Sequence, residues 1–226
     1  MNPLIASDSR HLLQPLPPLA LYVHIPWCIR KCPYCDFNSH AAPLVLPEQA
    51  YVDALLRDLE RDRPLAADRP LRSIFIGGGT PSLFSAPALK QLIDGIRNRI
   101  ACVPEIEITL EANPGTFEQE KFAAYRALGI NRLSIGIQSF NSGHLQQLGR
   151  VHNGDEALRA VQIAQHAGFS RINLDLMHGL PGQSVAQALA DLQQAIDLDS
   201  GHISWYQLTI EPNTLYWNQP PQLPED

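Results

Sequence analysis

Two hydrophobic periods alternate along this chain, and that alternation constrains its fold more than any other feature. Short apolar, β-biased runs lie at 19–25, 73–76, 107–111, 132–137, 172–176 and 203–208, and each reads as a strand, the first as a buried one closed by Pro26. Between them the apolar residues recur at helical spacing. Val52, Leu55, Leu56 and Leu59 form one face over 48–62, Leu89, Leu92, Ile93, Ile96 and Ile100 a second over 86–100, and Ala157, Ala160, Val161 and Ala164 a third. Val185, Leu189, Leu192 and Ile196 predict the apolar face of the last helix. The helix ends are marked as well. Thr116 with Gln119, Asn153 with Glu156 and Ser184 with Gln187 are capping-box pairs, while Gly129 and Gly168 stop the helices before them.

Strands separated by helical stretches run parallel, because a parallel return needs a long crossover. A doubly wound open sheet and a barrel both satisfy this. The polar and Gly-rich segments fall just after successive strands, where barrel sheets keep their active sites. The expected fold is therefore α/β, a partial (β/α)6 TIM-like barrel of parallel strands spanning 19–210. Residues 1–18 end in Gln14-Pro15-Leu16-Pro17-Pro18 and show no sustained period, so they read as an irregular arm. Residues 211–226 are too rich in Pro to continue a helix or a central strand and read as a linker to a C-terminal domain outside this chain.

Composition excludes several function classes. With 45% hydrophobic and 18% charged residues the chain is not globally disordered. No window approaches the ~20 uninterrupted apolar residues of a membrane span, and the start lacks a basic-then-apolar signal pattern. A cytoplasmic protein is expected, with membrane association at most peripheral. The 17 Lys+Arg against 23 Asp+Glu give a net charge of -6 with no dense basic cluster, which argues against nucleic acid as a partner.

Of the 4 Cys, three stand together as Cys28-x3-Cys32-x2-Cys35, immediately beyond the first strand, and Cys102 stands alone as a small buried hydrophobe. Soft thiolates clustered on one loop select iron-sulfur clusters, zinc or copper. Three is one short of closure, so a cubane cluster held this way keeps one iron open to a ligand. Zinc is the alternative, with His24 or His40 as a fourth ligand, but no second ligand pair follows at zinc-site spacing.

The segment Cys28-x3-Cys32-x-Tyr34-Cys35, with an aromatic residue before its last cysteine, resembles the signature of the radical S-adenosylmethionine (radical SAM) superfamily. Within it, Leu21-Tyr22-Val23-His24-Ile25-Pro26-Trp27-Cys28 and Cys35-Asp36-Phe37 are similar to the group that contains oxygen-independent coproporphyrinogen III dehydrogenase and the HemW-type haem chaperones. The resemblance runs from about Leu19 to Thr214. It implies a partial (β/α)6 barrel, a 4Fe-4S cluster on Cys28, Cys32 and Cys35, and S-adenosylmethionine (SAM) chelating the open iron, with reductive cleavage to a 5'-deoxyadenosyl radical.

Phe37 stands where the dehydrogenase pattern has a further cysteine. The resemblance therefore points to the haem-chaperone branch, with haem trafficking as the role and an electron donor protein and a recipient haem apoprotein as partners. Decarboxylation of a porphyrinogen by a dehydrogenase is the alternative enzymatic reading. A zinc-stabilised binding module is the non-enzymatic one. The haem chaperones continue into a domain with a His-Asn-x-x-Tyr-Trp motif; Tyr216-Trp217 is not preceded by His-Asn at that spacing, so haem binding is expected of the full-length protein.

The same resemblance implies SAM contacts at Tyr22, Tyr34, Gly78, Gly79, Thr80, Glu111, Gln138, Arg150 and Asp175. Each residue also has a plainer reading. Gly77-Gly78-Gly79 after a strand suits close backbone approach to a ligand but is also a simple turn. Glu111 can accept two hydrogen bonds from a ribose diol or sit in an ion pair at the barrel mouth. Arg150 can pair with a carboxylate or lie solvated, and Asp175 can be a hydrogen-bonded structural carboxylate. Among the scattered histidines, His152 is expected near the mouth because Arg150 is close. Arg30 and Lys31 in the cysteine loop can attract an electron donor or merely be solvated.

Overall fold

Strand order in the sheet follows chain order without a reversal. The structure, a computed structural model, describes residues 16–115 and 121–225. β1 (Leu19–Ile25) leads into two short strands, β2 (Trp27–Cys28) and β3 (His40–Ala41), and then α1 (Glu48–Asp62). β4 (Leu71–Gly78), α2 (Ala86–Arg97), β5 (Cys102–Ala112) and α3 (Phe122–Ala127) follow. The second half consists of β6 (Arg132–Gln138), α4 (Ser142–Gln147), α5 (Gly154–His166), β7 (Ile172–His178), α6 (Val185–Asp197) and β8 (Gly201–Gln207), and a one-turn helix α7 (Leu215–Asn218) comes last.

All neighbouring pairs in the sheet order β1-β4-β5-β6-β7-β8 are parallel. A doubly wound sheet would reverse its order at a switch point, so the uninterrupted order selects the barrel architecture. β1 and β8 each have one neighbour, and the barrel stays open between them. Position in the sheet corrects the first strand: β1 is an edge, with Val23 and Ile25 buried and Tyr22 57% exposed. Its apolar run lacked the information that one side would have no partner. The inner strands run longer than their apolar cores predict, since Leu71–Gly78 and Cys102–Ala112 continue into their polar and glycine ends.

The core lies between the sheet and the helices. Ile74, Ile76, Ile108, Leu110, Leu133, Ile135, Leu174 and Leu176 on the strands are fully buried, as are Leu89, Leu92, Ile93 and Ile96 of α2. α1 and α2 pack closely because Gly95 has no side chain: a Cβ there would come within 2.5 Å of Leu56. Glu48 at the start of α1 accepts from both the amide and the hydroxyl of Ser85, the N-cap of α2, each at 2.6 Å.

The capping boxes at Asn153/Glu156 and Ser184/Gln187 form as predicted; the Thr116/Gln119 pair lies outside the described residues. The last helix overturns the predicted face. Val185, Leu189 and Ile196 are 77%, 53% and 53% exposed, Leu192 is half-buried, and the buried positions of α6 are Asp191 and Ala195. Its inner surface is held by a carboxylate instead: Asp191 accepts from Ser139 Oγ at 2.6 Å and from the Phe140 amide at 2.8 Å.

Among the described residues, the short elements that escaped the periodicity include the strands β2 and β3, two 3-10 turns at Arg63–Ala66 and Pro81–Leu83 and the helix α4. The segment beyond residue 210 is also more structured than its prolines predict. Thr214 caps α7, and Tyr216 is buried against Leu148, Met177, Leu180 and Leu208. Tyr216 also donates its amide to Pro33 O at 3.0 Å and its hydroxyl to Gln147 O at 2.7 Å. One buried aromatic with two hydrogen bonds outweighs the local Pro content. Of the predicted N-terminal arm, 16–18 are described and have no secondary structure, with Pro17 O accepting from Arg69.

Candidate functional site

A cavity of about 430 Å³ opens at the carboxyl ends of the strands. Its walls come from the cysteine loop on one side and from the ends of β4, β5, β6, β7 and β8 on the other. The cysteine loop is clamped at its base, where β2 pairs with β3 and thus Trp27 with His40 and Cys28 with Ala41. Lys31 donates to the carbonyls of Phe37 and Ser39 at 3.0 and 3.3 Å, so this lysine staples the loop and is not simply solvated. Tyr34 packs its ring beside Tyr216 in the small apolar cluster with Leu148 and Met177, which docks the loop onto the barrel. Burial raises the Tyr34 phenol's pKa despite the facing Arg150.

Cys28, Cys32 and Cys35 all line this cavity as free thiols. Burial pushes the Cys28 thiol up, while the Thr80 and Ser39 hydroxyls beside it act in the opposite sense. Among the described residues no group of three or more His, Cys, Asp or Glu side chains is gathered as a single metal ion requires. A zinc ion would need its thiolates at about 2.3 Å from one point. His24 and His40 do not line the cavity: the His24 ring is engaged by Tyr22 Oη at 2.9 Å and Asn38 O at 2.8 Å, and His40 is exposed. Three soft thiols on one loop, with neither histidine on the cavity wall, are a donor set that fits an iron-sulfur cluster.

The end of β4 uses its glycines for packing. A Cβ at Gly78, where φ is +121°, would fall 2.8 Å from the His24 ring, and one at Gly79 would fall 2.7 Å from the Pro26 and Trp27 carbonyls. The amides here are taken: Gly78 N–H donates to Glu111 Oε2 at 3.0 Å, Gly79 N–H to Ile25 O at 2.8 Å and Thr80 N–H to Trp27 O at 2.7 Å. What the backbone of this segment can offer a ligand is carbonyl oxygen.

Glu111 and Asp175 face the same cavity from β5 and β7. Burial, with Asp175 nearby, pushes the Glu111 carboxyl up to about 7 against the pull of its hydrogen bond from Gly78. None of the described ion pairs includes it. Asp175 accepts from Ser134 Oγ and Asn173 Nδ2, each at 2.9 Å, and burial raises its pKa too. It is thus both a structurally hydrogen-bonded carboxylate and a cavity wall. Gln138 ends β6 at φ +69°, a left-handed backbone that costs a non-glycine residue roughly 1–2 kcal/mol, and its Oε1 accepts from Tyr206 at 2.9 Å. Such strain concentrates at functional sites.

Arg150 is not solvated. Its Nη1 donates to Cys32 Sγ at 3.6 Å and its Nη2 to Asn113 Oδ1 at 2.6 Å and Gly136 O at 2.8 Å. His152 lies behind it, 4% exposed and outside the cavity lining, with Nε2 against Ile137 O and a pKa lowered to about 3 by burial and Arg150. That corrects its expected place at the mouth: proximity in sequence to Arg150 did not give its direction.

Of the predicted SAM contacts, Tyr34, Gly78, Gly79, Thr80, Glu111, Gln138, Arg150 and Asp175 come together around this cavity. Tyr22 does not. It borders a smaller neighbouring depression with His24, Phe37, Asn38, Gly78 and Glu111. Sequence reasoning missed Asn113, Ser134 and Tyr206, which also line the cavity; the available signal was a polar residue at a strand end, two positions beyond Glu111 in the case of Asn113. Cys102 lies away from the cavity, its thiol bonded to Ile100 O. No helix among the described residues is long and apolar enough to cross a membrane.

The chain is 56% identical over 211 residues to the haem chaperone HemW of Escherichia coli K12, covering 93% of this chain and 56% of that one. It is 58% identical over 215 residues to HemW of Haemophilus influenzae, with the same coverages. The chain thus spans about half the length of these curated relatives. Among solved structures it superposes on the coproporphyrinogen III oxidase HemN of E. coli, described as a radical SAM enzyme, with a TM-score of 0.82, 28% identity, and coverage of 92% of this chain and 49% of that one. The model of the radical SAM superfamily matches residues 22–195. Three thiols on one loop beside the carboxyl ends of a six-stranded parallel barrel, together with that match, place this chain in the radical SAM superfamily.

Proposed function

We propose that this chain is the cofactor-binding barrel of a HemW-like haem-trafficking protein acting in the cytoplasm. It holds a 4Fe-4S cluster through Cys28, Cys32 and Cys35 and binds SAM in the cavity beside it. One observation carries the reading: the three thiols and the polar ends of five strands line one cavity, of a size that suits a cofactor.

The charge balance agrees with SAM. Asp36, Glu111, Asp175 and Glu211 line the cavity against Arg30 and Arg150, and SAM, with a sulfonium, an ammonium and one carboxylate, is a net cation. Its ammonium is a donor only and needs carbonyl oxygens, which the Gly78–Thr80 segment supplies once its amides are spent internally. Glu111 is positioned to accept from the ribose hydroxyls, and a bound cation favours its ionised form. Gln138, with its amide oxygen fixed by Tyr206, presents its amide nitrogen, and Asp175 presents a carboxylate already aimed by Ser134 and Asn173. Arg150 holds its cation against Cys32 on the cavity wall. When bound, the cluster and SAM supply one-electron chemistry. Haem, an electron donor protein and a recipient haem apoprotein are the partners of the whole protein.

Anaerobic reconstitution with iron and sulfide analysis tests this. The native chain takes up both, shows a broad absorbance that bleaches on reduction and binds SAM calorimetrically, and Cys28→Ala with Cys32→Ala and Cys35→Ala loses the cluster. A colourless, zinc-containing native protein overturns the reading. Decarboxylation of coproporphyrinogen by the native chain would move it to the dehydrogenase branch; Phe37, the residue against that activity, is 61% exposed at the cavity wall.

A further inference from the structure

Asn113 touches both arms of the wall that faces the cysteine loop. The guanidinium of Arg150 carries only donors, so the side-chain oxygen of Asn113 must be the atom facing it, at 2.6 Å from Nη2. That orientation turns the amide nitrogen toward Thr80, where Nδ2 donates to Oγ1 at 2.9 Å. A hydroxyl that accepts there braces the carboxamide from the side opposite Arg150, and Thr80 lines the cavity together with Cys28. On the opposite arm Arg150 Nη1 donates to Cys32 Sγ at 3.6 Å. The result is a continuous belt, Thr80, Asn113, Arg150, Cys32, with the carboxamide braced within it.

The surrounding backbone makes room for the belt and limits its movement. A Cβ at Gly136 would stand 3.2 Å from Asn113 Oδ1 and 3.3 Å from Arg150 Nη2. Pro114 restricts Asn113 to extended backbone, and β5 ends one residue earlier. Asparagine is the side chain this place requires. Aspartate can accept from Arg150 but cannot donate to Thr80, and leucine can do neither.

We propose that Asn113, braced on the Thr80 hydroxyl, is a positioning residue that aims Arg150 Nη1 at the Cys32 sulfur, and so raises the reduction potential of the cluster the cysteines hold. The proposal rests on the cluster assignment above. Hydrogen bonds to the sulfurs are one determinant of iron-sulfur potentials: they withdraw negative charge from the thiolates and so favour the more negative, reduced cluster.

The test is an anaerobic redox titration of the reconstituted 226-residue chain, without SAM, followed by absorbance and electron paramagnetic resonance. The variants are Asn113→Ala, Thr80→Val and the double variant, all neutral changes. Asn113→Ala is expected to lower the ratio of reduced to oxidised cluster about tenfold at fixed potential, which is about 59 mV for a one-electron couple. Thr80→Val lowers it by a smaller factor, and the double variant goes no further than Asn113→Ala alone. A potential unchanged in Asn113→Ala at native iron and sulfide content overturns the proposal, as do shifts that add fully in the double variant. If Asn113→Ala takes up no cluster, Thr80→Val decides: a negative shift supports the belt and an unchanged potential sinks it. A native chain that takes up no iron and sulfide overturns the cluster assignment itself, a failure distinct from an intact cluster indifferent to Asn113.

Discussion

α2 and α6 carry the same kind of apolar stripe and meet opposite fates. In α2 the stripe Leu89, Leu92, Ile93 and Ile96 is 0–1% exposed; in α6 the stripe Val185, Leu189 and Ile196 faces outward and the buried side is Asp191 with Ala195. Both helices are N-capped by serine, Ser85 and Ser184. The difference lies in the neighbours. α2 is flanked by α1, whose Leu56 reaches over Gly95, whereas α6 leads into β8, a strand with one partner and an outermost place in the sheet. Periodicity thus specifies a helix with two faces. Which face is buried depends on what stands opposite, and at the end of the sheet a hydrogen-bonded carboxylate holds the helix where apolar packing does so elsewhere.

Substitutions can break that contrast. Leu92→Ala should have the largest effect, about 2–5 kcal/mol of stability in chemical denaturation, with little change in the cavity. Asp191→Ala should follow at about 2–4 kcal/mol, because it leaves the Ser139 hydroxyl and the Phe140 amide without their acceptor. It should also weaken SAM binding in calorimetry, since Ser139 adjoins Gln138. If Leu92→Ala impaired SAM binding as much as Asp191→Ala, the distinction between a scaffold helix and a site-coupled helix would fail.

Glu111 sharpens the comparison from the cavity side. Asp191 has two donors, whereas Glu111 has the Gly78 amide, and its carboxyl is pushed from 4.5 up to about 7. The folded chain holds that proton above the pH at which the unfolded chain releases it, so this group's contribution to stability is full below about 4.5 and is lost as pH rises to about 7. Glu111→Gln should therefore raise the thermal midpoint at pH 8, leave it unchanged at pH 4, and reduce SAM affinity; an equal rise at both pH values would refute a burial penalty. Ser184→Ala should cost about 1 kcal/mol through its cap. Leu189→Ala should be smallest, within about 0.5 kcal/mol, and a cost near that of Leu92→Ala would show that the outer face of α6 is covered in solution.

Much of the frame was legible because strands and helices announce themselves locally. The six strand cores, two capping boxes and the place of the cysteine loop after β1 all follow from neighbours in the chain. The site was legible in part, since chemistry-bearing residues stood at strand ends. Asn113 was missed because its value lies in reaching Thr80 and Arg150, 33 and 37 positions away in the chain, and His152 was misplaced because its ring turns inward to Ile137 O. Tyr22 borders a separate depression that shares Glu111 with the cavity, a neighbourhood no local pattern gives.

By itself the sequence determined the alternation of parallel strands and helices, the three thiols on one loop and the polar ends of the strands, all of which are properties of short segments. Tertiary structure decided which apolar stripe is covered, which carboxylate keeps its proton, how the segment around Tyr216 docks and which donor meets Cys32. These outcomes depend on desolvation and on hydrogen-bond partners brought from distant segments, and no window of the chain contains both members of such a pair.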